Sequence, residues 1–112
     1  MIVDGDDELV GRLPFQLINS YYQKDDNFNW IVYTNYITST YELGASYFIP
    51  KSFKKSPILY RKIPKHMMGP IRTFYTELFR HIKEEDHKFK NGKWLDTMYD
   101  DAMQYPMLEM SG

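Results

Sequence analysis

A chain of 112 residues has room for one domain with a modest core, and its formal net charge of −1 gives no global attraction to nucleic acid or to an anionic membrane. The absence of cysteine excludes disulfide staples and thiolate metal ligands, and no apolar run approaches the roughly 18 to 20 residues that span a bilayer. With no signal-like start, the expected location is cytoplasmic, and ten Tyr with seven Phe point to an aromatic-rich core or ligand groove.

The first element is Val3-Asp-Gly-Asp-Asp-Glu8, two carboxylates one residue apart behind an apolar dipeptide. If residues 1–3 end a strand, Asp4 and Asp6 point the same way, because extended backbone alternates with period two. Such a pair can hold a hard divalent cation, since Mg²⁺ takes one or two protein carboxylates and completes its shell with substrate phosphates and water. Asp and Gly also make ordinary turns and caps, so the motif by itself reads either way. A calcium loop is excluded, because that pattern wants Asp or Asn followed by Gly where Glu8 and Leu9 stand.

Over residues 9–23, Leu13, Leu17, Ile18 and Tyr21 recur at helical spacing, and Pro14 requires the regular helix to start near it. The polar stretch 24–29 releases the chain into residues 30–37, whose aromatic and β-branched residues read as a strand covered on both faces. A helix followed by a buried strand implies an α/β layer. Residues 38–65 hold no lasting periodicity and carry Gly44, Pro50, Pro57 and Pro64, which reads as a long excursion. Its cations, Lys51, Lys54, Lys55, Arg61, Lys62 and Lys65, either face a negatively charged ligand or are simply solvated.

Pro70 opens what reads as the clearest helix of the chain, with Ile71, Phe74, Tyr75, Leu78, Phe79 and Ile82 on one face. The aromatic stripe reads as core, with a sugar-stacking platform as the alternative. Arg72 near that helix's start is charged where the dipole disfavours it, which suggests an anionic partner. Glu84, Glu85 and Asp86 read as a solvated helix end. Asp100 and Asp101 precede an apolar stretch, where they cap a helix or, chemically, supply a general base able to take a proton from a sugar hydroxyl. Pro106 leaves the boundary of that last helix open.

Taken together, Val3-Asp-Gly-Asp-Asp-Glu-Leu9, Trp30-Ile-Val-Tyr-Thr-Asn35, Ile49-Pro-Lys51, Ile71-Arg-Thr-Phe-Tyr-Thr-Glu-Leu-Phe79 and Asp100-Asp-Ala-Met-Gln-Tyr-Pro-Met-Leu-Glu-Met110 form an ordered series. In this series the chain resembles the middle and C-terminal part of a family 2-like glycosyltransferase of the GT-A fold. The resemblance implies an α/β architecture, helices on a small mixed sheet lacking the N-terminal nucleotide-binding strands. It implies sugar transfer with inversion from a nucleotide-sugar, a UDP-sugar by expectation, to an acceptor glycan or other hydroxyl. Asp4 and Asp6 would meet Mn²⁺ or Mg²⁺, while Asp4, Asp7 and Arg72 would contact donor or acceptor. Asp100 matches the family's candidate catalytic aspartate, with Asp101 as its substitute. The chain departs from the family where Gly69-Pro70 replaces a Ser-His pair; the nearby His66 reads as an exposed loop histidine, with a replacement ligand as the alternative.

The family carries a preceding half that builds the nucleotide-binding strands, so the expectation is a fragment that completes itself with that half or in a homo-oligomer. Two other function classes remain in play: a noncatalytic binding or assembly module reusing this half of the fold, and a phosphodiester-cleaving metal enzyme.

Overall fold

A computed structural model describes residues 1–24, 28–44, 46–62 and 68–111, with backbone only at 51 and 54. Lys65 and His66, and the side chains of Lys51 and Lys54, lie outside the described residues. The architecture is mixed α/β: a two-stranded antiparallel sheet and several short helices. The chain divides into two compact units, one of Met1–Tyr47 with Met67–Phe74, the other of Phe48–His66 with Tyr75–Gly112.

In the first unit, helix α1, Pro14–Tyr22, begins at the proline as the sequence requires, because a missing N–H costs nothing in the first turn. It packs on strand β1, Ile31–Tyr33, through the buried Ile18. Strand β2, Arg72–Phe74, pairs with β1 in the register Ile31 to Phe74, Val32 to Thr73 and Tyr33 to Arg72. On the other side of β2, Ile2 and Arg72 exchange both backbone bonds, 2.8 and 3.3 Å. The apolar start of the chain is thus an extended edge segment, as expected.

Beneath the sheet the Thr73 hydroxyl donates to the Val32 carbonyl at 2.7 Å, so the Tyr22 hydroxyl, 2.8 Å away, must donate to Thr73. The strand expected over 30–37 shortens to three residues because side chains take over the backbone's partners. Thr34 Oγ1 bonds both the Pro70 carbonyl and the Ile71 N–H, and Asn35 Oδ1 accepts from Tyr36 and Ser46. The excursion is also less irregular than its composition suggests. Ile37 bridges Leu43, and the Gly44 N–H returns to the Tyr36 carbonyl at 2.7 Å, closing a small hairpin.

The helix expected from Pro70 onward is corrected. Residues 72–74 are strand, and the helix that follows, α3, is only Thr76–Arg80. The apolar spacing over 71–82 matches a helical stripe only because a strand's alternation runs into one helical turn. Here tertiary pairing outweighs the pattern, since β2 is hydrogen-bonded along both edges, to β1 and to Ile2. As a result the aromatic stripe is not core: Leu78 is buried, whereas Tyr75 and Phe79 are exposed.

The second unit is organised by α4, Tyr99–Ser111. The helix continues through Pro106, which withholds the donor that would otherwise reach the Ala102 carbonyl. Met103, Gln104, Met107 and Leu108 of α4 are buried, and so are Leu78 of α3 and Tyr60 of a 3₁₀ turn over Pro57–Lys62. Phe53, on the short helix α2 over Lys51–Lys54, meets Tyr60 edge to face at 5.8 Å between ring centres. A second 3₁₀ turn, Glu84–His87, completes the unit, and Arg61 clamps Glu109 with two bonds of 2.5 and 2.9 Å. No described helix is long and apolar enough to cross a membrane.

Candidate functional site

The residues expected to bind the donor lie in the first unit. Asp4-Gly5-Asp6-Asp7 is a closed turn in which the Asp7 N–H donates to the Asp4 carbonyl at 3.1 Å. The strand alternation invoked for Asp4 and Asp6 therefore does not apply, because Gly5 and Asp6 form the turn between Asp4 and Asp7. A turn of this type holds its first and fourth Cα atoms within about 7 Å, so it is Asp4 and Asp7 that are brought close at the neck, with Asp6 at the bend. All three carboxylates are exposed, and so is Glu8.

The turn hangs directly from the edge segment that Ile2 pins to β2. Its donors are all carboxylate oxygens, the hard set that suits Mg²⁺ or Mn²⁺. Among the described residues no group of three or more His, Asp or Glu is placed to hold a metal ion. A cation here would rest on one or two of these aspartates and take its other ligands from phosphate and water, which is how Mg²⁺ is usually held.

Arg72 stands in the register expected of a central strand residue, opposite Tyr33 on one side and Ile2 on the other. It is 8 % exposed, and its Nε donates to the Met68 carbonyl at 3.3 Å. No helix begins at this position, so no unfavourable helix dipole calls for an anionic partner at Arg72. The guanidinium instead helps hold the 68–70 backbone behind β2. At that place a side chain on Gly69 would crowd its neighbours: a Cβ would meet Ser46 Oγ at 2.0 Å and the Thr34 carbonyl oxygen at 3.0 Å.

Asp100 and Asp101 belong to the second unit and occupy the first turn of α4, as the sequence expects, both half-buried. The helix starts from an unusual residue. Met98 is left-handed, with φ 56°, and its carbonyl accepts the Ala102 N–H at 3.2 Å. Asp101 acts on its own helix, its charge adding to burial in pushing the Tyr105 hydroxyl up from its ordinary range.

One feature absent from the sequence reading is the hairpin over 88–94. Lys88 bridges Trp94, the Phe89 N–H reaches the Lys93 carbonyl at 2.8 Å, and Gly92 takes φ 80°. The signal for it was Asn91-Gly92, a dipeptide that marks tight hairpin turns. Comparison with models of protein families, with curated proteins and with solved structures found no match to this chain.

Proposed function

We propose that the chain is part of a family 2-like glycosyltransferase domain, a partial GT-A fold, and that it takes part in sugar transfer from a UDP-sugar to an acceptor hydroxyl. The observation that carries this reading is the exposed aspartate turn suspended from a sheet edge. Support also comes from the ordered series of motifs from Val3 to Met110. Asp4 at the neck and Asp6 at the bend of one four-residue turn would each offer a carboxylate to Mn²⁺ or Mg²⁺, and Asp7, close to Asp4 at the neck, would meet the donor's polar groups. When bound, the cation neutralises charge on the departing diphosphate. In the transfer the acceptor oxygen bonds to the sugar's anomeric carbon, whose bond to the diphosphate breaks with inversion. The acceptor's proton passes to a carboxylate, a role the resemblance assigns to Asp100, with Asp101 as substitute. Arg72, which the resemblance implies for contact with donor or acceptor, would act from behind by holding the Met68 carbonyl.

Calorimetric titration with UDP, with and without Mn²⁺, on the chain and on Asp6→Ala tests the reading. Metal-dependent UDP binding lost in the variant supports it; a folded chain that binds UDP under neither condition counts against it.

A noncatalytic assembly module is the second reading, favoured by α1. Leu13, Leu17 and Tyr21 repeat every fourth residue and remain exposed, Leu13 at 60 % and Leu17 at 58 %. The helix has no charged residue to keep that stripe in water. Sedimentation showing a monomer across the accessible concentration range would sink this reading.

A further inference from the structure

A single amide side chain interrupts the apolar packing of the second unit. Gln104 shares the buried face of α4 with Met103, Met107 and Leu108 and is only 2 % exposed. Its Nε2 is sealed from solvent and has no hydrogen-bond partner in the protein, and among the described residues no other side-chain nitrogen or oxygen is in that condition. An amide buried in this way costs the full desolvation of its N–H groups, and such atoms in native proteins mark a bound water, an ion or a functional contact. The geometry of α4 says what lies within reach. Residues four apart on a helix have Cβ atoms about 5–6 Å from each other, and long side chains lean back over the preceding turn. Helical spacing thereby sets Gln104 beneath Asp100, which is half-buried in the first turn. The neighbouring aspartate serves a different row, since the charge of Asp101 is felt at Tyr105, four residues further on. Yet Nε2 makes no direct bond to the Asp100 carboxylate, so a donor and an acceptor share one helix face without meeting. A polar pair at such a separation is the ordinary setting for a bridging molecule.

We propose that Gln104 and Asp100 hold one buried water between them, with Nε2–H donating to the water oxygen and the water donating to the Asp100 carboxylate. The chemistry of the two ends selects the occupant. A cation is repelled by the amide N–H, an anion is repelled by the carboxylate, and an apolar group satisfies neither. What fits is a neutral oxygen with a lone pair to accept and a proton to give, and the burial of Gln104 favours water, the smallest such group. On the transferase reading this water holds one oxygen of the general base and leaves the other to the acceptor hydroxyl. That consequence rests on the transferase reading, whereas the water site itself does not.

The test is ¹H–¹⁵N NMR of the folded full chain, with cross-relaxation from water read at the Gln104 side-chain amide. The expected result is a cross-peak of the sign of a long-lived bound water. It should persist in Tyr60→Phe and Tyr105→Phe, because tyrosine hydroxyl protons exchange with water and can relay such a signal. Asp100→Ala should lose the peak, whereas Asp100→Asn, which keeps an accepting oxygen, and Asp101→Ala should retain it. Gln104→Met matches the side chain in length and needs no partner, so it should leave the urea midpoint unchanged or lower it. A raised midpoint in Gln104→Met overturns the proposal, because it would show an amide buried without any partner. Absence of the peak in the parent chain, its survival in Asp100→Ala, or its loss in any of the other four variants overturns it as well. A parallel titration with UDP and Mg²⁺ separates the two claims. A bound water in a chain that takes no UDP leaves the site standing and counts against the transferase reading alone, and UDP binding without the water peak does the reverse.

Discussion

Gly69→Ala should be among the most damaging single methyl additions in this chain. Gly69 is buried behind β2, and a Cβ there would lie 2.0 Å from Ser46 Oγ, 3.0 Å from the Thr34 carbonyl oxygen and 3.1 Å from the Tyr36 ring. The Ser46 hydroxyl is the one neighbour that can swing away, and in doing so it surrenders its 2.9 Å bond to the Thr34 carbonyl. That loss is about 1 kcal/mol, and squeezing the backbone oxygen and the ring adds about 1–2 kcal/mol more. The total, about 2–3 kcal/mol, should lower the urea midpoint by on the order of 1–2 M at constant slope. Ser46→Ala removes the closest obstacle, so in that background Gly69→Ala should cost about 1 kcal/mol less than it does alone. Strict additivity of the two substitutions would show that the clash with Ser46 is not what excludes a side chain at position 69.

Met98 at φ 56° is strained in a way glycine is not, so Met98→Gly should stabilise the chain by up to about 1 kcal/mol, read as a raised urea midpoint; a lowered midpoint would show that the Met side chain contributes packing instead. Burial pushes the Tyr60 hydroxyl up from its ordinary range, and burial first and Asp101 second do the same to Tyr105. Because these folded values are raised, the stability they carry is fully present below the ordinary value of 10.0 and is lost as pH rises through the folded values. Urea midpoints measured from neutral to strongly alkaline pH should therefore fall less in Tyr60→Phe than in the parent chain, and superimposable profiles would refute the assignment for Tyr60.

What could be read from sequence was governed by the range of the interaction responsible. Helix α1 was legible because Pro14 and the four-residue spacing of Leu13, Leu17 and Tyr21 are local signals, and α4 was legible because Asp100 and Asp101 mark its first turn. Strand β2 was not legible, because what makes residues 72–74 a strand lies elsewhere: β1 about forty residues earlier and Ile2 at the start of the chain. The same holds for Arg72, whose burial follows from that pairing. For the aspartate motif, the geometry is set by Gly5 and a turn rather than by strand alternation, because the Asp7 N–H closes back on the Asp4 carbonyl. Trp94 shows the opposite case, since the Asn91-Gly92 signal is local, yet exposure of a tryptophan is a tertiary fact that composition does not reveal.

The aspartate turn and the packing behind β2 are linked through one residue pair. The turn projects from the segment that Ile2 holds to Arg72 by two reciprocal backbone bonds, and Arg72 in turn fixes the Met68 carbonyl beside Gly69. The carboxylates therefore inherit their position from a strand backed by a glycine at which any added side chain is crowded. An exposed turn tied to a sheet by so little backbone has little rigidity of its own, and local opening of an edge segment costs far less than global unfolding. If the proposed cation site at Asp4 and Asp6 exists, its affinity should depend on how firmly Ile2 stays paired as well as on the carboxylates themselves. In this arrangement the buried Arg72 bears on the position of the aspartate turn through its backbone pairing with Ile2, without its side chain reaching solvent.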